Sequence, residues 1–322
     1  MRNWLAPILW DARRAVTSMA TLAMVAATAC AGQKADPDFV PRVAASAYAG
    51  SSAPVACIDG AHNEAHTADG LYAPFASLVT ADGYRVRASD ERFEHGVPQE
   101  CGVLVIVNAS GWKRPKLFGL NLPTRSHRSR DEPAFTAREI DSVRAWVRRG
   151  GALLLIADHY PFGTASASLA AAFGVNMSQG FTEAANVEPG AHDRGQLLFS
   201  RDNGLLGEHP ITRGRNASER VTRVVTYTGQ SLAAPGAAPL LVLGDSAIDY
   251  VPPPPTFTPR PAEGRLQGLA FELGGGRVVV LGEAAELTAQ VSDRGTRFGM
   301  QVPGNDNAQF ALNIMHWLTR LL

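Results

Sequence analysis

Four apolar runs in this 322-residue chain end in side chains that can move protons or hold a cation. Val55 to Ile58 leads into Asp59-Gly60-Ala61-His62-Asn63-Glu64-Ala65-His66, and Cys101 to Val107 leads into Asn108. Ala152 to Ala157 leads into Asp158-His159, and Arg277 to Leu281 into Gly282-Glu283, with Glu286 and Gln290 a little further on. Carboxylates and imidazoles at such positions are the groups of general acid–base catalysis. The expected catalytic set is Asp59, His62, Asp158, His159 and Glu283, with His159 or His62 as base and Glu283 as acid or orienting group. Asn63, His66, Asn108 and Gln290 are the expected ligand-binding residues. The mixture of nitrogen and oxygen donors also suits zinc or another divalent metal, with His62, His66 and His159 as candidate ligands. His62 and His66 are four residues apart, but Gly60 and its turn-like surroundings argue against a helix there. The stretch reads H-N-E-x-H, which is not the zincin H-E-x-x-H. Each residue alone also has a plainer reading: Asp158 as a turn residue ahead of Tyr160-Pro161, Asp69 as a helix cap. Convergence of four strand ends is what favours a pocket.

Other chemistries find no support. G-x-S-x-G, G-x-x-x-x-G-K-[ST] and a strand-linked G-x-G-x-x-G are all absent. Gly244-Asp245-Ser246 has the flavour of a hydrolase serine motif, but lacks a paired D-x-x-H, and Asp245 reads as a turn residue. Gln309, Asn313 and His316 make a polar stripe on the last helix, which reads as solvated or capping.

The elements that must position these residues follow from the pattern. Strands are expected at Val55 to Ile58, Tyr84 to Val86, Cys101 to Val107 and Ala152 to Ala157, the continuous apolar ones buried on both faces. A helix is expected over Asp69 to Ala81, with Pro74 in its first turn. A second follows the capping box Thr136-Ala137-Arg138-Glu139, with Ile140, Val143, Trp146 and Val147 at helical spacing and a stop at Gly150-Gly151. A third, of small residues, spans Ala165 to Phe173. Residues 111–133 read as a long basic loop. An irregular excursion at about 175–265 contains strands at 197–199, 221–227 and 240–243, and a stiff Pro252 to Pro255 loop. A hairpin over 269–281 and a helix from about Asp306 to Leu321 close the chain. Strands alternating with helices predict an α/β fold: a three-layer, open, mostly parallel sheet with helices on both faces. Loops at the carboxyl ends of such strands meet at one crevice, and ligands bind there.

The first 29 residues read as a secretory signal peptide, with Arg2, Arg13 and Arg14 ahead of an apolar stretch from Ala15 to Ala29. Ala27-Thr28-Ala29-Cys30 is similar to a bacterial lipobox, which makes Cys30 the candidate lipidation site; ordinary cleavage near Ala-Thr-Ala is the alternative. Residues 30–52 read as a flexible tether and 53–322 as a single α/β domain. The expected location is the bacterial cell envelope, lipid-anchored or periplasmic. An apolar fraction of 45% supports a substantial core, and 30 basic against 30 acidic residues give no general affinity for nucleic acid. Three cysteines are too few for a disulfide scaffold. An exported location permits a Cys57–Cys101 bond, though the sequence leaves buried free thiols equally open.

The segments I-D-G-A-H-N-E at 58–64, D-G-L-Y-A-P-F at 69–75, G-G-A-L-L-L-I-A-D-H-Y-P-F at 150–162, G-R-V-V-V-L-G-E-A-A at 276–285 and N-A-Q-F-A-L-N-I-M-H-W-L at 307–318 carry a resemblance. The chain resembles a bacterial family of exported or lipoprotein domains with the class I glutamine amidotransferase-like, flavodoxin-like fold. Trehalose-utilisation-type proteins and an intraflagellar-transport domain are similar in fold. The resemblance implies a nucleophile turn at Ala157-Asp158-His159-Tyr160 and a partner near Glu283. No thiol stands at that turn, so glutamine hydrolysis by thiolate attack is not expected. The expected function is that of a hydrolase or isomerase acting on a polar, carbohydrate-like small molecule by acid–base or metal-assisted chemistry. The alternative is a non-catalytic ligand-binding or scaffold lipoprotein.

Overall fold

The computed structural model describes residues 32–48, 53–64, 66–111, 116–117, 120–121, 132–187 and 191–322. The signal segment, Cys30 and most of the basic 111–133 stretch lie outside them. Among the described residues, no helix is long and apolar enough to cross a membrane.

The continuous apolar runs form the middle of a nine-stranded sheet because helices cover both of its faces. In chain order its strands are β1 (Val55–Asp59), β2 (Arg85–Ser89), β3 (Val103–Val107), β4 (Ala152–Ile156), β5 (Asn176–Met177), β6 (Leu232–Ala233), β7 (Ala238–Val242), β8 (Leu266–Leu273) and β9 (Gly276–Leu281). The spatial order is β2-β1-β3-β4-β9-β8-β6-β5, with β7 also paired to β8. The contacts β2–β1, β1–β3, β3–β4 and β4–β9 are parallel, and those from β9 outward are antiparallel. The helices are α1 (Ala73–Ala81), α2 (Ala137–Arg148), α3 (Phe162–Ala172), α4 (Pro210–Arg213) and α5 (Asn307–Leu318).

Alternation along the strands splits the core in two. Ile58, Val105, Leu154, Ile156 and Val279 face Phe75 and Leu78 of α1 and Phe310, Ile314 and Trp317 of α5. Cys57, Leu104, Ile106, Leu155 and Val280 face Val143 and Val147 of α2 and Ala165 and Leu169 of α3. This is an open α/β sheet with both faces covered, as strand–helix alternation requires, but it is mixed: in spatial order, the strands from β2 to β9 are parallel and those beyond β9 antiparallel. Each fully buried Leu or Ile contributes roughly 1.5–3 kcal/mol relative to exposure, so the two layers supply much of the drive to fold.

The differences from expectation are local. The first helix begins at Ala73 rather than Asp69, and Asp69 instead accepts a hydrogen bond from Thr67 Oγ1 at 2.7 Å. The second strand runs 85–89 rather than 84–86. The second helix has the expected capping box: Thr136 Oγ1 accepts from Glu139 N at 3.3 Å, and Glu139 Oε2 accepts from Thr136 N at 2.9 Å. Of the polar stripe of α5, expected as solvated or capping, Asn313 and His316 are buried, and Gln309 is half-buried with Nε2 donating to Asn313 Oδ1 at 2.9 Å. Asn313 Nδ2 donates to Ile211 O and Glu219 O, both at 2.8 Å, and His316 Nε2 lies 2.6 Å from Asp82 Oδ2. These groups dock the last helix, because buried polar atoms near a helix must find partners.

The segment expected as a tether is, over 32–48, folded onto the domain. Gln33–Ala35 pairs antiparallel with Ala289–Ser292, Arg297 Nε donates to Asp36 Oδ2 at 3.0 Å, and Tyr48 Oη donates to Thr319 Oγ1 at 2.8 Å. A polar, Ala-rich composition suggested flexibility, but an unpaired sheet edge accepts such a strand through its backbone alone.

Cys57, in β1, and Cys101, ahead of β3, form a disulfide that closes 44 residues of chain. Replacing both with alanine should lower unfolding free energy by about 2–4 kcal/mol in urea titrations. An unchanged midpoint would show that the bond contributes nothing to stability.

Candidate active site

The parallel strands end in step. Val107 pairs with Ile156 and Ile156 with Leu281, while Ile58 pairs with Val105, so Asp59, Asn108, Asp158 and Glu283 all emerge at one edge of the sheet. The side chains there sort into two networks rather than one.

The first network surrounds His62, which is fully buried. Its Nδ1 lies 2.6 Å from Asp59 Oδ2 and its Nε2 lies 3.1 Å from Glu139 Oε1. Its ring sits between Phe93 and Phe135, at centroid distances of 5.0 and 4.5 Å. Arg92 grips Glu139 with two hydrogen bonds, Nε to Oε1 and Nη2 to Oε2, each 3.0 Å. Burial opposes the Glu139 charge, but bonds from Arg92, Thr136 N and His62 outweigh it and hold the carboxyl at about 2. Glu64 is the reverse case: burial, then the Asp59 charge, pushes it up to about 10. Asn63, in the left-handed region at φ 59°, donates from Nδ2 to Ser110 O at 3.1 Å, tying this loop to the one after β3.

The second network carries the remaining candidates. Asn108, at φ 54°, is the bridge: its Oδ1 accepts from Asp158 N at 2.8 Å, and its Nδ2 lies 3.4 Å from His66 Nδ1. Asp158 Oδ1 accepts from His159 N at 2.7 Å and lies 4.0 Å from His159 Nε2. The His159 ring stacks on Phe181 at 4.8 Å, and its Nδ1 lies 2.7 Å from Tyr160 O. Across from Asp158, Glu283 accepts from the backbone N–H groups of Ala285 at 2.6 Å and Glu286 at 2.8 Å. Tyr72 Oη donates to Ala284 O at 2.8 Å, and its ring meets that of His66 edge-on at 5.5 Å. Gln230, fully buried, braces the turn from behind, with Nε2 donating to Ala157 O at 2.7 Å and Asp158 O at 3.1 Å. Gly163 is required beside it, since a Cβ there would come within 2.5 Å of the Gln230 amide.

Electrostatics concentrate at this second network. Burial pushes Glu283 well above the usual carboxylate range, and the charge of Asp158 pushes it further. Burial does the same to Glu286, reinforced by Glu283 and then Asp158. Burial also raises Asp158, against the His159 charge and its hydrogen bonds from His159 N and Asn108. The same burial drives the His66 imidazole down to about 3, with the His159 charge adding to it. Glu286 stands out, because both its carboxylate oxygens are buried without a hydrogen-bond partner among the described residues. An acid so placed holds its proton and can donate it, which is how a general acid is tuned for work near neutral pH. Its neighbours Asp158 and His159 supply an acceptor and a nitrogen base.

Asp158, His159, His66, Asn108 and Glu283 thus share one site, and Asp59, His62 and Asn63 belong to the adjacent network. Gln290 is buried on the strand after Glu286, with Oε1 unpartnered. The metal set His62, His66 and His159 is not assembled. Among the described residues, only Asp59, His62 and Glu64 bring three ligand atoms within 4.8 Å of one another. The reason is that His62 lies in the first network, between Asp59 and Glu139, whereas His66 and His159 lie in the second. Sequence reasoning treated Glu139 only as a helix cap and gave no role to Arg92, Tyr72 or Gln230. The i+3 spacing of Glu283 and Glu286 was a usable signal, since it places the second acid beside a turn that the first one caps. Two cavities of about 340 and 620 Å³ lie elsewhere, one beside His316 and Asp82, the other lined by Gly244, Asp245 and Ser246.

No protein-family model matches the chain, and no curated protein does either. Solved structures do. The mmIFT52 N-terminal domain is 14% identical with a TM-score of 0.51, covering 82% of this chain and 97% of its own, and this likeness shows a shared fold. A putative ThuA-like protein from Bacteroides uniformis is 12% identical, TM-score 0.43, covering 84% of this chain and 94% of its own. One from Parabacteroides merdae is 10% identical, TM-score 0.41, covering 83% and 90%. The chain therefore has an α/β fold shared with the mmIFT52 N-terminal domain, and Asp158 stands at the turn after β4.

The pKa directions make a test by linkage. Burial holds the Glu286 carboxyl well above the ordinary value of 4.5, so the unfolded chain gives up this proton first and stability falls as pH rises past that point. Glu286→Gln should therefore be more stable than the wild type by a margin that grows with pH above about 5. His66 is held neutral, so the unfolded chain takes up its proton first, and stability falls as pH drops from 6.5 toward about 3. His66→Gln should flatten that acid-side slope in urea titrations across pH. Destabilisation by Glu286→Gln at pH 8 would show that the acid is a structural anchor instead.

Proposed function

We propose that this protein is an exported hydrolase or isomerase that acts on a polar, carbohydrate-like small molecule by acid–base chemistry. The observation that carries this reading is Glu286, whose carboxyl lies buried and unpartnered among Glu283 and Asp158. Leaving a polar group without partners in a core costs about 1–3 kcal/mol, a penalty that selection tolerates where a substrate group completes the bonding. In this reading Glu286, seconded by Glu283, donates a proton to a substrate oxygen. Asp158 and His159 receive one on the opposite side, Asn108 fixes the Asp158 turn, and His66 stays neutral to hydrogen-bond a hydroxyl. Hydroxyl-rich ligands suit such a site because they offer both donors and acceptors to carboxyls, amides and imidazoles.

The Cys57–Cys101 disulfide supports export, since such bonds persist in oxidising compartments. It joins the signal-like first 29 residues and the Ala-Thr-Ala-Cys stretch in favouring an envelope location, with a lipid on Cys30 as the membrane anchor. A second reading, a non-catalytic ligand-binding lipoprotein, draws on the near-complete burial of Glu283 and Glu286, at 1% and 0% exposure, which a structural polar network also produces.

The full chain should consume at least one member of a panel of mono- and disaccharides, followed by proton NMR. Asp158→Asn and Glu283→Gln, checked as folded by circular dichroism, should each slow that reaction about a hundredfold or more, the scale of a lost acid or base. Sugar-induced thermal stabilisation without turnover would establish the binding reading and remove the enzymatic one.

A further inference from the structure

The network around His62 has no part in the reaction above, and its geometry is that of a ligand set. Asp59 Oδ2 lies 2.6 Å from His62 Nδ1, and Glu64 Oε1 lies 4.0 Å from the same nitrogen. All three side chains are fully shielded from solvent, and Glu64 Oε1 accepts no hydrogen bond. Each side chain is pinned through its other polar atom. Asp59 Oδ1 accepts from Ala61 N at 3.0 Å, and Glu64 Oε2 accepts from His62 N at 2.9 Å. His62 Nε2 faces Glu139 at 3.1 Å, which Arg92 in turn holds with two bonds. One atom of each residue is thereby left aimed at a common point.

We propose that Asp59, His62 and Glu64 bind a divalent transition-metal ion, of the zinc or manganese class, through Asp59 Oδ2, His62 Nδ1 and Glu64 Oε1. Three ligands of one nitrogen and two oxygens suit such ions, whereas calcium and magnesium prefer oxygen alone. The backing of the imidazole by a carboxylate is the arrangement that orients metal-bound histidines. Ligand atoms around a four-coordinate zinc stand about 3.3 Å apart, so the two separations from His62 Nδ1, 2.6 and 4.0 Å, each need to adjust by less than about 1 Å. On binding, the ion takes the place of the proton between His62 Nδ1 and Asp59 Oδ2 and of the one carried by the Glu64 carboxyl, and both protons leave to solvent. It also screens the two carboxylates, Asp59 and Glu64, from each other. The ion would hold the loop after β1 against helix α2, which makes this a structural centre beside the active site and independent of its chemistry.

The test uses the full chain stripped with a chelator and titrated separately with Zn2+, Mn2+, Ca2+ and Mg2+ by calorimetry, with melting temperature as a second readout. The expected result is one Zn2+ or Mn2+ per chain and a raised melting temperature. Glu64→Gln keeps the side-chain shape and should weaken binding at least about tenfold, the lower end of what disturbing a metal site costs. Glu286→Gln should leave metal affinity unchanged, and this separates the centre from the acid–base site. No stoichiometric uptake, a preference for Ca2+ or Mg2+, or equal affinity in Glu64→Gln would overturn the assignment. So would loss of binding in Glu286→Gln alone, which would place the ion among Asp158, Glu283 and Glu286.

Discussion

Everything at the candidate site depends on the parallel, in-step pairing of β1, β3, β4 and β9. A parallel pair places both carboxyl ends on one side, and register fixes how far each protrudes. With Val107, Ile156 and Leu281 level, the next residues of three strands, Asn108, Ala157-Asp158 and Gly282-Glu283, leave the sheet together. A one-residue slip would turn their neighbours into the opposite core layer, and the two layers of Leu, Ile and Val around the sheet oppose that slip. The hydrophobic core thus does more than stabilise: by fixing the register it sets where along the sheet edge the buried acids emerge.

What gathers at that edge is electrostatically unfavourable. Asp158, Glu283 and Glu286 are all removed from water, and their charges oppose one another. The fold relieves this with backbone donors. Two N–H groups of the short turn after β9 cap Glu283, and His159 N with the Asn108 amide secures Asp158 and its turn. Glu286 receives no such relief from hydrogen bonds among the described residues, and burial holds it, like Glu283, well above the usual carboxylate range. The network around His62 meets the same problem differently, since the Arg92 guanidinium neutralises Glu139 while Asp59 and Glu64 share a single imidazole.

Much of the fold was legible because its signals are local. Cys101 to Val107 and Ala152 to Ala157 are continuous apolar runs of strand length, and Thr136 with Glu139 spells a helix start. The segment 32–48 was misread because its composition lacks periodicity, and its order comes from backbone pairing to the distant strand 289–292. The stripe Gln309, Asn313 and His316 was misread because helical spacing shows which residues share a face, not what lies opposite; here Asp82 and the 210–221 region do.

The sequence by itself determined the alternation of strands and helices, the two-faced burial of the sheet and the set of polar residues delivered to strand ends, since each follows from hydrophobic period and local turn chemistry. Only the tertiary structure decided that β9 lies beside β4 and that those polar residues divide into two networks. It also joined Cys57 to Cys101, made Glu139 face His62 and left Glu286 without a partner. These outcomes depend on contacts between residues tens to hundreds of positions apart. Such contacts are set by register and layer packing, which leave no periodic trace in the chain.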